Sequence, residues 1–482
     1  MTASSWRWTA AILITYAVAL AAWSWFATAV APGLIARSLS GEGGPTLDRL
    51  VPLIAKGRAL PVVQQEWRDA SSAVAAALVV HAVLVLAILS WGRRREGASE
   101  GGVWLRGATS GFLILASLAF LIATIFAGAI QDYFLYLQIW REVLGGRDPW
   151  FLVLGGIGAF SLNAYGPLYN VLALPVLWNP LAPKLIFAAA YWFFASWLVL
   201  DLGGRRGFPA WGRLALAIWF AGPFAWVEIA YFGHFDVLVA LLAVAAAEAR
   251  LRGRWGASFG WLSAGVLLKF FPGVLAPFLA LDRGRVRWRY LAAIVGLSLA
   301  GMAAAGAYWG PSLLRPLTLA VNRESAALSI FRYLRGPHSP IGRDTLFFAP
   351  DQYATPLLLL ALYRAWSWTR RMGFEPLASC VLAVATTLLM YKVGFPQYYM
   401  VLFLIAPYWF VRDFARLAHR GPLATAFLAC FAWISWFDLR LAREDPGPLV
   451  EWVGVPTFAL MMAFVVWVAV AGPREQSPEG PA

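Results

Sequence analysis

Residues 109 to 132 read TSGFLILASLAFLIATIFAGAIQD, an apolar run that stops at a single carboxylate, Asp132. A helix of about 20 apolar residues is long enough to cross the hydrocarbon core of a bilayer. Runs of this kind recur along the whole 482-residue chain, which is 61% hydrophobic and only 13% charged. Soluble domains usually carry about a quarter charged residues. The sequence therefore predicts an all-α, polytopic transmembrane protein.

The arginine clusters between these runs predict how the chain is threaded. Basic loops favour the cytoplasmic side, so the charge of +14 reflects orientation in the membrane and predicts no nucleic-acid partner. We predict about 12 to 14 spans in the cell membrane, with both termini in the cytoplasm. The predicted spans are 8–31, 71–92, 109–130, 183–203, 211–231, 234–252, 256–270, 273–283, 289–309, 352–371, 375–393, 397–413, 422–440 and 453–472.

Two segments do not fit a simple crossing. Residues 165–178 are too short to span, and we predict that they lie at the outer interface. Residues 255–282 have basic residues on both flanks, so they must leave and return, and we expect a bent hairpin broken near Pro272. The two cysteines, Cys380 and Cys430, fall inside apolar runs and predict packing thiols.

This threading brings polar side chains from different helix ends to the non-cytoplasmic face. Ionisable groups at membrane depth are costly, so they indicate a functional site by default. The residues predicted there are Asp132, His234, Asp236, Lys269, Arg323, Glu324, Lys392 and Gln397.

Asp132 is the first candidate for chemistry. A carboxylate beside apolar and aromatic groups can take a proton from a substrate hydroxyl as a general base. The alternative is that Asp132 only caps the helix that follows. From its position alone, the capping interpretation is favoured.

Three further motifs suit an anionic group, and each has a plain alternative. Gly233-His234-Phe235-Asp236 opens a helix, whose N-terminus attracts anions, although Asp236 would serve equally as a partner of the helix dipole. Lys269 sits at the apex of the predicted hairpin, where it either contacts a phosphate or extends to the interface. For Arg323 to Ser325, in the large outer loop, a solvated loop helix is the favoured interpretation over a site.

Taken together, these motifs resemble the integral-membrane GT-C glycosyltransferases that use polyprenyl-phosphate sugars, a group that includes mycobacterial phosphatidylinositol-mannoside mannosyltransferases. The resemblance covers residues 109 to 412. It rests on Asp132-Tyr133, Tyr165-Gly166-Pro167-Leu168, Gly233-His234-Phe235-Asp236, Leu268-Lys269-Phe270-Phe271-Pro272, Arg323-Glu324-Ser325 and Pro396-Gln397-Tyr398. The chain departs from the family pattern at Gly166, which stands where the family has the first proline of a Tyr-Pro-Pro-like turn, and in the two spans that precede residue 109.

The resemblance implies a GT-C fold and an inverting hexosyl transfer on the extracytoplasmic face, with Asp132 as the general base. It implies that the donor phosphate is bound among Lys269, Lys392, Arg323 and His234. It also implies that substrate is bound by Tyr133, Tyr165, Asp236, Glu324, Gln397 and Tyr398. No cofactor is expected; a divalent ion held by Asp132 and Asp236 is the less favoured alternative.

The partners implied are a polyprenyl-phosphate sugar donor, membrane lipids, and a glycolipid, glycan or protein acceptor. Mannose is the expected sugar, with arabinose, glucose and galactose as alternatives. We divide the chain into an N-terminal hairpin (1–108), a catalytic module (109–412) and C-terminal helices (413–482). A transporter or flippase for lipids or lipid-linked glycans is the rival function, and a scaffold without chemistry is a third.

Overall fold

The computed structural model describes residues 3–39, 60–93, 100–150, 163–282, 284–316, 325–335, 350–444 and 447–473. Helices dominate these ranges. They are α1 (Ala3–Trp25), α2 (Ala31–Leu39), α3 (Leu60–Arg93), α4 (Glu100–Ala127), α5 (Gln131–Leu144), α6 (Pro167–Val171), α7 (Ala182–Ser196), α8 (Gly203–Arg205), α9 (Ala210–Phe220), α10 (Pro223–Ala225), α11 (Asp236–Leu251), α12 (Trp255–Leu268), α13 (Ala276–Leu279), α14 (Trp288–Trp309), α15 (Ile330–Arg335), α16 (Pro350–Met372), α17 (Pro376–Met390), α18 (Tyr399–Arg412), α19 (Phe414–Leu417), α20 (Gly421–Ala442), α21 (Leu449–Trp452) and α22 (Gly454–Ala471).

Shorter elements join these helices. The π-helical segments are Phe26–Val30, Trp197–Leu202 and Trp226–Tyr231, and the 3₁₀ segments are Leu174–Leu177, Phe271–Leu275, Pro311–Leu314 and Pro396–Tyr398. Two short antiparallel strands, β1 (Leu281–Asp282) and β2 (Arg285–Val286), form a hairpin before α14.

Eight helices in the described ranges are long and apolar enough to cross a membrane, which makes this an all-α, polytopic, membrane-embedded protein. They are Thr9–Arg37, Val62–Gly92, Val103–Ala127, Ala182–Arg205, Ala210–Tyr231, Trp288–Trp309, Gly421–Ala442 and Gly454–Ala471. Four further predicted spans correspond to α11, α12, α17 and α18, which have only 14 to 16 residues each. The predicted total of 12 to 14 spans stays a prediction.

The predicted break near Pro272 is confirmed, but the second arm of that hairpin is not a continuous helix. The helix α12 ends at Leu268, Lys269 is extended with φ −154°, and the chain then forms a 3₁₀ turn and the four-residue α13. Pro272 and Pro277 lack the N–H groups that a longer helix needs. The result is a compact connection that keeps Lys269 at a helix end.

Residues 165–178, expected at the outer interface, form two short helical turns. Large apolar side chains on them are exposed, among them Leu174, Leu177 and Trp178. Their position relative to a membrane stays a prediction.

The helix α11 lies near the centre of the bundle and packs against α12, α17 and α18. It begins at Asp236 and ends beside Arg250 and Arg252. Its 16 residues rise by about 24 Å, at 1.5 Å per residue. We call the end of the bundle at Asp236 and Lys269 the site end, and the end at Arg250 and Arg252 the basic end.

Candidate functional site

A cavity of about 710 Å³ opens at the site end of the bundle. Its wall comes from the start of α5, the connection before α11, the turn after α12, one side chain of α16 and the ends of α17 and α20, together with the π-helical segment Trp226–Tyr231 and the 3₁₀ segment Pro396–Tyr398. The ionisable side chains that line it are Asp132, Glu228, His234, Lys269 and Glu444. Aromatic rings make up much of the remaining surface, including Tyr165, Phe271, Tyr391 and Tyr398.

Asp132 reaches this cavity because the chain turns sharply after α4. Gly128 takes φ +61° and Gln131 takes φ +47°, so the backbone reverses before α5 begins. Asp132 lies in the first turn of α5, where a carboxylate is also favourable for the helix dipole. Its side chain is 45% exposed. The capping interpretation and the site interpretation therefore describe the same residue without conflict.

His234 lies in the short connection before α11 and is held between two carboxylates. Its Nε2–H donates to Asp132 Oδ2 at 2.9 Å, and its Nδ1–H donates to Glu228 Oε2 at 2.5 Å. Burial opposes protonation, but the Glu228 and Asp132 carboxylates outweigh it and raise the pKa of His234 to about 10. The ring is therefore an imidazolium at neutral pH, with both nitrogens occupied by protein.

Gly233 makes this arrangement sterically feasible. It takes φ +72°, and a Cβ atom there would lie 2.5 Å from Cδ2 of Tyr133. Only glycine adopts this positive φ at low cost and also leaves room for the Tyr133 ring. Tyr133 itself is fully buried, and its hydroxyl donates to the Pro180 carbonyl.

Lys269 is the second cation that lines the cavity. Its Nζ donates to Asp236 Oδ1 at 2.6 Å, and both side chains are almost completely buried. The ammonium also lies 4.2 Å from the centre of the Tyr398 ring, within reach of a cation–π interaction. Lys269 thus has a fixed counter-ion on one side and faces the cavity on the other.

A close backbone contact requires glycine at position 166, in the turn from Tyr165 to Leu168. A Cβ atom at this position would lie 2.2 Å from the Leu267 carbonyl oxygen, which leaves room only for glycine. The Gly166 N–H instead donates to the Leu268 carbonyl at 3.2 Å. This contact fixes Tyr165 against the end of α12, directly before Lys269.

The structure brings several predicted residues together and separates others. Asp132, His234, Lys269, Tyr165, Gln397 and Tyr398 line one cavity. Tyr133 and Asp236 lie behind its wall, where they contact Gly233 and Lys269 respectively. Lys392 is not among the lining residues, although its carbonyl accepts a hydrogen bond from Ala326. Arg323 and Glu324 lie outside the described residues. The roles assigned to all of these residues stay predictions.

Sequence reasoning missed three buried ionisable residues near the site. Glu228 is the second partner of His234, and Asp438 is fully buried in α20, with no hydrogen-bond donor among the described residues at either carboxylate oxygen. Lys184 donates to the carbonyls of Gly128 and Tyr231, at 2.8 and 2.9 Å, where two helical segments end. All three interrupt apolar runs in the sequence, and an ionisable residue in such a run is itself a signal of function.

The comparisons with known proteins add no relative. No protein-family model matches the chain, and no curated protein matches it closely enough to count as related. Within the part of the chain that the structure describes, no group of three or more His, Cys, Asp or Glu side chains is arranged to hold a metal ion.

The arrangement combines groups that can move a proton and offset the charge of an anion. A half-exposed carboxylate held by an imidazolium can accept a proton from a hydroxyl. An ammonium at the cavity wall can offset charge that develops on a departing anion. Burial raises the pKa of the Tyr165 phenol, so this side chain stays a neutral hydrogen-bond donor and acceptor.

Proposed function

We propose that this protein is a membrane-embedded glycosyltransferase that moves a hexose from a polyprenyl-phosphate donor to an acceptor hydroxyl. The observation that carries the proposal is the Asp132 carboxylate, 45% exposed at the cavity and bonded to His234 at 2.9 Å. A capping aspartate needs neither the cavity nor the buried histidine. A general base needs both access to substrate and a fixed orientation.

In this mechanism Asp132 takes the proton of the acceptor hydroxyl. The acceptor oxygen forms a bond to the anomeric carbon, and the bond from that carbon to the phosphate oxygen breaks. The bonding electrons leave with the polyprenyl phosphate, and attack from the opposite face inverts the anomeric configuration. The proton ends on Asp132 and is lost to solvent before the next turnover.

Lys269 is the residue best placed to stabilise the leaving phosphate. It lines the cavity, whereas His234, the other lining cation in the described residues, already uses both nitrogens on carboxylates. Charge grows on the phosphate oxygen as the bond breaks, so a positioned ammonium acts mainly on the transition state. The predicted roles of Lys392 and Arg323 remain additional proposals for the same phosphate.

The site end lies opposite the arginine-rich basic end, which supports placing the reaction on the extracytoplasmic side. Basic helix ends favour the cytoplasm. Arg250, Arg252 and Arg412 lie near the end of α11 that is remote from Asp236. A polyprenyl chain would remain in the bilayer while its sugar phosphate enters the cavity. Mannose is the sugar we expect first.

The test uses the purified chain in lipid nanodiscs without other proteins. Labelled polyprenyl-phosphate mannose and a panel of glycolipid, glycan and peptide acceptors are supplied, and glycoside product is measured. We expect transfer from the lipid-linked donor and none from nucleotide-linked mannose. Transfer from the nucleotide donor alone would overturn the proposal. Movement of the labelled lipid between leaflets without a new glycosidic bond would instead support the transporter.

A further inference from the structure

Lys184 is a buried ionisable residue that the proposed mechanism does not use. It is 0% exposed and lies in the first turn of α7, which begins the most buried of the eight candidate spans. Ionisable side chains are costly in such surroundings, so a lysine here indicates a function. Lys184 is not among the described residues that line the cavity. It can therefore act on the site only through the segments that it contacts.

The amine of Lys184 joins two helix ends that lie beside the site. Its Nζ donates to the Gly128 carbonyl at 2.8 Å and to the Tyr231 carbonyl at 2.9 Å. Gly128 follows the last residue of α4, and Tyr231 is the last residue of the π-helical segment. The final carbonyls of a helix have no N–H partner within that helix, so they need one from elsewhere. A single side chain supplies a donor to both ends.

These two helix ends lead directly to the hydrogen-bonded pair Asp132 and His234. Asp132 follows Gly128 by four residues, and His234 follows Tyr231 by three. Each connection turns through a glycine at positive φ, Gly128 at +61° and Gly233 at +72°. Such turns lack the repeating hydrogen bonds of a helix, so contacts from outside help to fix them. The 2.9 Å bond between Asp132 Oδ2 and His234 Nε2 therefore depends on how both connections are held.

A second contact near the start of α7 acts on the same two connections. Tyr133, the neighbour of Asp132, donates its hydroxyl to the Pro180 carbonyl at 2.6 Å. Its ring lies 5.4 Å from the Lys184 Nζ. The same ring packs against Gly233, where a Cβ atom would lie 2.5 Å from Cδ2. Residues at and just before the start of α7 therefore contact both connections, which makes this part of the chain their common reference.

We propose that Lys184 is a positioning residue that fixes the Asp132 carboxylate against the His234 ring. It acts through two backbone carbonyls and does not touch substrate in this scheme. The arrangement needs two N–H donors on one nitrogen, and an amine has at least two in either protonation state. The link from this geometry to catalysis rests on the proposed function, whereas the effect of Lys184 on the hydrogen bond between Asp132 and His234 does not.

The first experiment measures the exchange of the His234 Nε2–H proton with solvent, by NMR at fixed pH, in the full-length chain labelled only at histidine. The chain has four histidines, so the His234 signal is assigned by its loss in His234→Gln. Lys184→Met removes both N–H donors and keeps an unbranched side chain. In this variant the proton should exchange at least about tenfold faster, since the two connections open more often. An unchanged exchange rate would overturn the proposal.

A matched control separates positioning from general stability. Tyr191 lies on the same helix as Lys184, and its buried hydroxyl donates to the carbonyl of Phe220, the last residue of α9, at 2.7 Å. Tyr191→Phe therefore also removes a buried donor from a helix-end carbonyl, but this carbonyl belongs to neither connection. The variant should melt at a lower temperature and keep the His234 exchange rate within about twofold. Equal acceleration in Tyr191→Phe and Lys184→Met would show that Lys184 acts on stability alone.

Lys184→Gln keeps the proposal testable even where Lys184→Met does not fold. The glutamine amide retains two N–H donors on one nitrogen, on a side chain that is one bond shorter. It should hold the two carbonyls but draw them towards α7, so we expect an exchange rate about threefold faster than in the wild type and a shifted Nε2–H resonance. A wild-type rate and resonance in Lys184→Gln would contradict the positioning role.

Activity separates this inference from the proposed function. If the chain transfers sugar, Lys184→Met should lower kcat by about tenfold or more, because a misplaced base reacts slowly. KM should stay within about twofold, since Lys184 does not line the cavity. If no sugar transfer is found at all, the exchange rates still test the effect of Lys184 on the hydrogen bond. Normal kcat together with faster exchange would remove the link between this hydrogen bond and catalysis.

Discussion

The two ends of α11 carry ion pairs of similar geometry in very different surroundings. At the site end, Lys269 and Asp236 are 2.6 Å apart, with side chains 8% and 2% exposed. At the basic end, Arg252 and Glu248 are 2.5 Å apart, with side chains 49% and 16% exposed. The two pairs therefore differ in the solvent exposure of their side chains and not in the distance between their charged atoms.

This difference in exposure predicts which ion pair can be removed with little loss of stability. A solvated pair contributes little because water screens it and competes for it. A desolvated pair costs free energy to bury and is strongly destabilising to break. The site end keeps its pair, together with the Asp132–His234–Glu228 cluster, in the less favourable surroundings, which is typical of residues retained for function.

The largest effect is expected for Asp132→Asn, which removes the carboxylate while keeping the shape of the side chain. Sugar transfer should fall by roughly 10² to 10⁴-fold, the usual contribution of a general base. The measurement is product formation in nanodiscs. Glu444→Gln is the control, since Glu444 is an exposed carboxylate that lines the same cavity, and it should retain activity. Full activity in Asp132→Asn would remove this residue from the base role.

The next effect is expected for the buried pair at the site end. Lys269→Met leaves Asp236 without its counter-ion, which should destabilise the protein by about 3–5 kcal/mol. The double variant Lys269→Met/Asp236→Leu should recover most of that loss, because neither charge is then left buried. Thermal unfolding in detergent measures both. Equal destabilisation of the single and double variants would contradict the pair as described.

The third effect is a pH dependence that belongs to the site end alone. The pKa of His234 is raised to about 10 in the folded protein, against about 6.5 for an unperturbed histidine. The imidazolium therefore contributes its full stability below pH about 6.5, and this contribution is lost as the pH rises towards 10. The wild-type chain should melt at a higher temperature than His234→Gln at pH 7, with the gap closing by pH 10. A difference in melting temperature that stays the same from pH 7 to pH 10 would contradict a protonated His234.

The fourth effect compares two glycines that flank α11. Gly233 and Gly253 take nearly the same φ, +72° and +70°, but a Cβ atom at Gly233 meets Tyr133 whereas one at Gly253 meets nothing within 4 Å. Gly253→Ala should cost about 1 kcal/mol from backbone conformation alone. Gly233→Ala should cost about 1–3 kcal/mol more and should lower activity as well. Equal melting temperatures for the two variants would show that Tyr133 moves away from the added Cβ atom without loss of stability.

The smallest effect is expected at the basic end. Arg252→Met breaks the exposed pair with Glu248 and should change stability by less than about 1 kcal/mol. Glu248 keeps its bond to Arg412, at 2.6 Å, in this variant. The same unfolding assay measures it beside Lys269→Met. A loss as large as that of Lys269→Met would remove the contrast between the two ends.

The sequence predicts the fold class and the position of the site because both depend on distance along the chain. Apolar length reveals the helices, and a polar residue at the end of an apolar run marks a helix end. This reasoning places Asp132, His234 and Lys269 at one end of the bundle, where the structure also has them.

Lateral packing is what the sequence does not reveal. The hydrogen bond that His234 donates to Glu228 depends on which faces of two segments meet. Tyr133 follows Asp132 directly, but the helical turn directs it away from the cavity towards Pro180. The arm predicted at 273–283 fails as a continuous helix for a local reason, since prolines interrupt it.

Lys184 has a consequence for how substrate enters. The buried amine of Lys184 joins the carbonyl of Gly128, four residues before Asp132, to that of Tyr231, three residues before His234. Drawing these segments apart would leave a buried amine without its two hydrogen-bond partners, which is unfavourable. We therefore expect this side of the cavity to stay rigid throughout turnover. If the chain binds a lipid-linked donor, as proposed, we expect the donor to enter past other segments of the lining, such as Phe395 to Tyr398.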